Sequence, residues 1–165
     1  MTWLPFDLHP EYPPEGIPRE ELVRRYGAGM TDHVRSMFER GGLAYNPHPD
    51  IIPNTQLALR LTELARDRDL HRRFHDRVMD AYWAESLDIG DERILRALAD
   101  EVGIDGADEV FNGDGYAARV AASTAQAQSI GIHGIPAFLL DRKLLVLGAQ
   151  PRDVFENAFA QLAAG

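Results

Sequence analysis

Gly131–Pro151 reads GIHGIPAFLLDRKLLVLGAQP, and this stretch decides the fold. Gly131 and Gly134 bracket a short loop that ends at Pro136. Behind it stand two apolar runs, AFLLD and LLVLG, parted by Arg142 and Lys143, which is the pattern of a buried two-stranded hairpin. Pro151 then occupies a first helical position, where a missing N–H costs nothing. Val154, Phe155, Ala158, Phe159 and Leu162 follow at helical spacing and are expected to face inward. An apolar hairpin needs a larger sheet to join. Working outward, the segment that offers a strand is WLPFDL at the N-terminus, with Pro5 tolerated if it lies where no ladder donor is required.

Between these ends, apart from a proline-rich connection at Pro10, Pro13, Pro14 and Pro18 and a second proline cluster at Pro47, Pro49 and Pro53, the chain reads as helix. Pro18 opens a short helix carrying Leu22, Val23 and Tyr26 before Gly27, and Val34, Met37 and Phe38 mark a second that ends near Gly41. From Asn54 the stripe Leu57, Leu61, Leu64, Ala65 passes into Leu70, Phe74, Val78, Ala81, Tyr82. Asp91 is placed to cap a helix with Ile94, Leu95, Leu98 and Val102 inward, and Gly103 to end it. A short helix around Ala107–Phe111 and a longer one from about Gly115 to Ile130, with Val120, Thr124 and Ala127 inward, complete the block. The order strand, helical block, hairpin, helix excludes a plain four-helix bundle.

At 165 residues and 45% hydrophobic content the chain suits one well-cored domain. Its formal net charge of −9 repels phosphate backbones and anionic lipid, so nucleic acid and membrane surfaces are not expected partners. No apolar run approaches the roughly 20 residues that span a bilayer, and no leader pattern opens the chain; a cytoplasmic location is expected. The sequence holds no cysteine, hence no disulfide, thiolate nucleophile or cysteine-ligated metal.

WLPFDLHPEYPPEG, PNTQLALRL, AYWAESLDIGD and GIHGIPAFLLDRKLLVLGAQP, in this order, resemble the DsbA-like thioredoxin superfamily and, within it, FrnE-type proteins. The resemblance covers nearly the whole chain. It implies an α/β fold: an incomplete thioredoxin-like sheet built from residues 1–9 and 131–165, with a large helical insertion over about 18–130. GIHGIPAF resembles the family's cis-proline loop, in which Ile135 and Pro136 would present backbone groups to an extended thiol substrate or to glutathione. Asn54 lies in an Asn-Thr segment similar to one that approaches glutathione in related isomerases; its local reading is a helix cap. His133, inside the loop, is a further substrate-contact candidate beside a simply solvated reading.

The family's first strand and its Cys-x-x-Cys helix have no counterpart, and neither Ser36, Ser86 nor Ser129 begins an apolar helix after a buried strand. A truncated or mis-started product, a partner-dependent fragment and a divergent dimer all fit this departure. No catalytic residue is assigned. The implied function is that of a thiol-disulfide oxidoreductase family member inactive by itself. The alternatives are a relative of the glutathione-dependent 2-hydroxychromene-2-carboxylate isomerase, and a non-catalytic binding module for peptides or thiols. Glutathione is the one cofactor the resemblance admits, and a homodimer or a partner is expected to complete the sheet.

Other motifs carry less. His71 and His75, with Asp67 one turn earlier, have metal-ligand spacing, but Arg72 and Arg73 beside them oppose a cation. FNGDGY mimics a calcium loop, yet Val110 and Ala121 fall where carboxylates are needed. No metal site is assigned. Tyr82 and Trp83 read as core aromatics with a cleft wall as the alternative.

Overall fold

The computed structural model describes residues 1–164. Its order is β1 (Ile17–Pro18), α1 (Arg19–Tyr26), α2 (Ala28–Arg40), β2 (Ile51–Ile52), α3 (Gln56–Asp67), α4 (His71–Trp83), α5 (Glu92–Val102), α6 (Asp108–Phe111), α7 (Gly115–Ser129), β3 (Ala137–Leu140), β4 (Leu144–Leu147) and α8 (Arg152–Ala164). The architecture is mixed α/β.

The core lies in the helical block. Leu61, Leu64 and Ala65 of α3 meet Phe74, Val78 and Ala81 of α4 and Leu95, Leu98 and Val102 of α5, closed by Ile104 and Val110. These are the apolar stripes of the sequence, because an amphipathic helix is stable only when that face is covered. Asp91 caps α5 by accepting from the Arg93 N–H at 2.7 Å. Gly103 ends it in the left-handed region at φ 84°, which releases its N–H to the Ala99 and Asp100 carbonyls. Within the described residues no helix is long and apolar enough to cross a membrane.

The hairpin forms as expected, with Ala137 opposite Leu147 and Leu140 opposite Leu144. Its turn places both Asp141 and Arg142 at positive φ, 48° and 55°, matching the right-handed twist of the strands it joins. Phe138 meets Phe155 of α8 edge-on at 5.0 Å, so the face carrying Phe138 and Val146 is covered. The other face, with Leu139 and Leu147 each 47% exposed, is bare. Phe159, expected inward, is 57% exposed: a sheet only two strands wide is covered by the flank of α8 around Phe155 and Ala158, and Phe159 falls outside that flank.

The N-terminal strand is a correction. Residues 1–9 enter no ladder among the described residues, and the two sheets are β1 with β2 and β3 with β4. The segment is held by side chains instead. Arg66 donates to the Trp3 carbonyl, Ser123 Oγ to the Pro5 carbonyl at 2.7 Å, and the Asp7 N–H donates to Thr124 Oγ1 at 2.9 Å. Groups at residues 3, 5 and 7 turn to one side, the period of a strand. Local sequence shapes a strand, but a ladder needs a neighbour, and the hairpin does not supply one here. The small β1–β2 bridge had no sequence signal beyond Gly16, at φ 76°, where any side chain would run into the Ile52 carbonyl.

Candidate functional site

Gly131–Pro136 leads from the end of α7 into β3. Ile132 is buried and pins the loop, while Gly131 takes φ 88°, a turn few other residues tolerate. The Ile135–Pro136 peptide is cis. The Pro136 carbonyl accepts from the Gly148 N–H at 2.8 Å, which ties the loop to the far end of β4. Together these segments line a shallow groove of about 340 Å³, walled by Gly131, His133, Gly134, Ile135, Pro136, Leu147 and Gly148.

The groove is mainly apolar surface and exposed backbone. Ile135 is 56% exposed, and its N–H and C=O have no backbone partner among the described residues. Unpaired peptide groups beside an apolar wall suit an extended chain, whose main chain can pair there while its side chains seek apolar cover. His133 is exposed on the same wall and is the groove's titratable side chain. Sequence reasoning found Ile135, Pro136 and His133 but missed Leu147 and Gly148. The signal that finds them is strand register, since Pro136 falls opposite Gly148 once Ala137 is set opposite Leu147.

Asn54 is not in the groove wall. Its Nδ2 donates to the Tyr12 carbonyl at 2.7 Å and the Pro13 carbonyl at 3.3 Å, and its Oδ1 accepts from the Gln56 N–H at 2.9 Å. It thereby staples the proline-rich connection onto the start of α3, close to its local reading as a cap. The neighbouring Asp7, only 5% exposed, accepts from Gln56 Nε2 and from the His9 N–H. A buried carboxylate is stable only with such donors.

The histidine pair is used inside the fold. His71 Nε2 accepts from the Arg66 guanidinium at 2.8 Å, so this imidazole is neutral there. Burial, then the Arg66 charge, holds it below the ordinary histidine range. Asp67 turns away to α7, where Arg119 grips it at 2.8 and 3.0 Å and Tyr116 donates at 3.1 Å. Those bonds, Arg119's first, keep Asp67 below the usual carboxylate range. Tyr82 and Trp83 join Phe38 and Tyr45 in an aromatic cluster between α4 and α2, and burial raises the Tyr82 phenol.

A loop ending at Pro136, an antiparallel hairpin and a terminal helix follow a helical block, the element order expected of a thioredoxin-like protein of the DsbA type. The sequence model of the DSBA-like thioredoxin domain matches residues 1–160, and the chain belongs to that family. The uncharacterized protein YwbO of Bacillus subtilis (strain 168) is 30% identical over 165 residues, covering 97% of this chain and 80% of that protein. The crystal structure of the probable DsbA oxidoreductase SCO1869 from Streptomyces coelicolor superimposes with a TM-score of 0.84 at 28% identity, over 94% of this chain and 72% of that one.

Proposed function

We propose that residues 1–165 are the substrate-holding part of a FrnE-type thiol-disulfide oxidoreductase fold, and that this chain binds extended peptide thiols or disulfides without exchanging them. The carrying observation is the groove at Gly131–Pro136 and Leu147–Gly148, with the free backbone of Ile135 at its centre. Exchange requires a thiolate that attacks one sulfur of the substrate disulfide, forms a mixed disulfide and expels the other sulfur as thiolate. With no cysteine in the sequence, no such intermediate forms on it. His133 contributes a polar contact at the rim, and Ile135 pairs with substrate main chain.

A peptide is favoured over glutathione because Asn54, one of the residues through which the resemblance brings glutathione, already donates from its Nδ2 to the carbonyls of Tyr12 and Pro13. The same observation weighs against the glutathione-dependent isomerase reading. The test is insulin reduction by dithiothreitol: the 165-residue chain leaves the uncatalysed rate unchanged, and acceleration by it refutes the proposal. A cytoplasmic location belongs to the same proposal, and fractionation of cells producing the protein checks it.

A further inference from the structure

Gly148-Ala149-Gln150-Pro151 closes the hairpin, and of these four residues the groove wall uses Gly148. The hydrogen bonds give Gln150 a place as well. The Pro136 carbonyl accepts from the Gly148 N–H at 2.8 Å and the Leu140 carbonyl from the Lys143 N–H at 3.0 Å, so even-numbered residues turn their main-chain groups between β3 and β4. By antiparallel alternation Leu147 turns its carbonyl to the outer side of β4. There it accepts from Gln150 Nε2 at 2.8 Å.

The Leu147 C=O and the Gly148 N–H are opposite ends of one planar peptide group. That group is therefore held from both sides, by Gln150 outside the hairpin and by Pro136 within it. The Gln150 N–H also donates to the Gly148 carbonyl at 3.0 Å, and Nε2 lies 3.5 Å from where a Cβ would stand on Gly148, so the side chain folds back across the turn. Gly148, at φ 80°, has no side chain to resist rotation of this peptide plane; the two bonds supply the resistance. A hydrogen bond accepted at a peptide carbonyl also polarises the group and strengthens the bond its N–H donates.

We propose that Gln150 is a positioning residue for the groove: without touching the substrate, it orients the Leu147–Gly148 peptide so that the N–H stays on the Pro136 carbonyl and the two walls keep their spacing. This role rests on the peptide-holding function proposed above. The bonds that carry it all lie within residues 136–150.

Gln150 is exposed, so replacing it leaves the core untouched. Gln150→Met keeps the length and removes the donor. In that variant hydrogen exchange at the Gly148 amide is expected to quicken by about three- to tenfold, the loss of one hydrogen bond, while the urea midpoint and helical spectrum stay nearly unchanged. Affinity for reduced insulin B chain should fall by a similar factor. Gln150→Glu puts an acceptor where the donor was, and acid restores a donor: its Gly148 amide shift should return toward the unmodified protein's as the carboxyl protonates near about pH 4. Unchanged Gly148 exchange in Gln150→Met, exchange that quickens equally throughout β3, β4 and α8, or no such return in Gln150→Glu overturns the proposal. Faster Gly148 exchange with unchanged affinity overturns the positioning role. If the unmodified chain binds no peptide, the groove function fails instead, and the Gly148 amide still decides whether Gln150 holds the turn.

Discussion

Replacing Thr124 by Val tests how the N-terminal segment is held. The two side chains are nearly equal in shape, so the change removes one hydroxyl and little packing. That hydroxyl accepts from the Asp7 N–H at 2.9 Å in a buried setting, and Thr124 itself is 8% exposed. Losing the bond costs about 0.5–1.5 kcal/mol, and leaving the buried N–H unmatched brings the range to about 1–3 kcal/mol. The cost is limited by how firmly the segment docks, because peeling away would rehydrate the amide. Arg66 on Trp3 and Ser123 on Pro5 resist that, so about 1–2 kcal/mol is expected, or roughly 2–4 °C in melting temperature per kcal/mol for a chain of this size. The assay is urea denaturation together with hydrogen exchange at Asp7; Thr124→Ser, which keeps the hydroxyl, is the control. A Val variant with unchanged stability and an unchanged Asp7 exchange rate refutes the anchoring argument.

Three further outcomes follow from local chemistry. Asp91→Ala removes the α5 cap and lowers stability by about 1 kcal/mol, read by urea denaturation; Asp91→Ser loses much less. Arg142→Gly relieves a side chain held at φ 55° and raises stability by about 1 kcal/mol, read as an upward shift in melting temperature. Asp67 has its folded pKa depressed by Arg119, so its contribution is present above the unfolded carboxylate pKa and is lost as pH falls through the folded value. Asp67→Asn should accordingly cost stability at pH 7 and progressively less as pH falls through the folded value, checked by denaturation across the acid range.

The helices were legible because their apolar stripes, the Asp91 cap and the Gly103 stop are local and agree with one another. The hairpin was legible for the same reason, its two apolar runs being separated by a charged turn. The N-terminal ladder was not, since pairing depends on a neighbour that no local pattern specifies; what holds Pro5 and Asp7 are Ser123 and Thr124, more than a hundred residues away. Phe159 misled because helical spacing cannot say how wide the sheet beneath a helix is. At the site, Ile135, Pro136 and His133 could be singled out from the loop itself, whereas Leu147 and Gly148 needed the hairpin register.

The central claim is that this chain holds a substrate in the groove and carries out no exchange. It is tested most directly by titrating the isotopically labelled protein with unfolded insulin B chain, following amide shifts by NMR and the intact mass in the same samples. Saturable shifts are predicted at Gly131–Ile135 and at Leu147 and Gly148, with the mass unchanged. Shifts confined to other regions, no shift up to millimolar peptide, or a mass gain that reports a covalent adduct would contradict it.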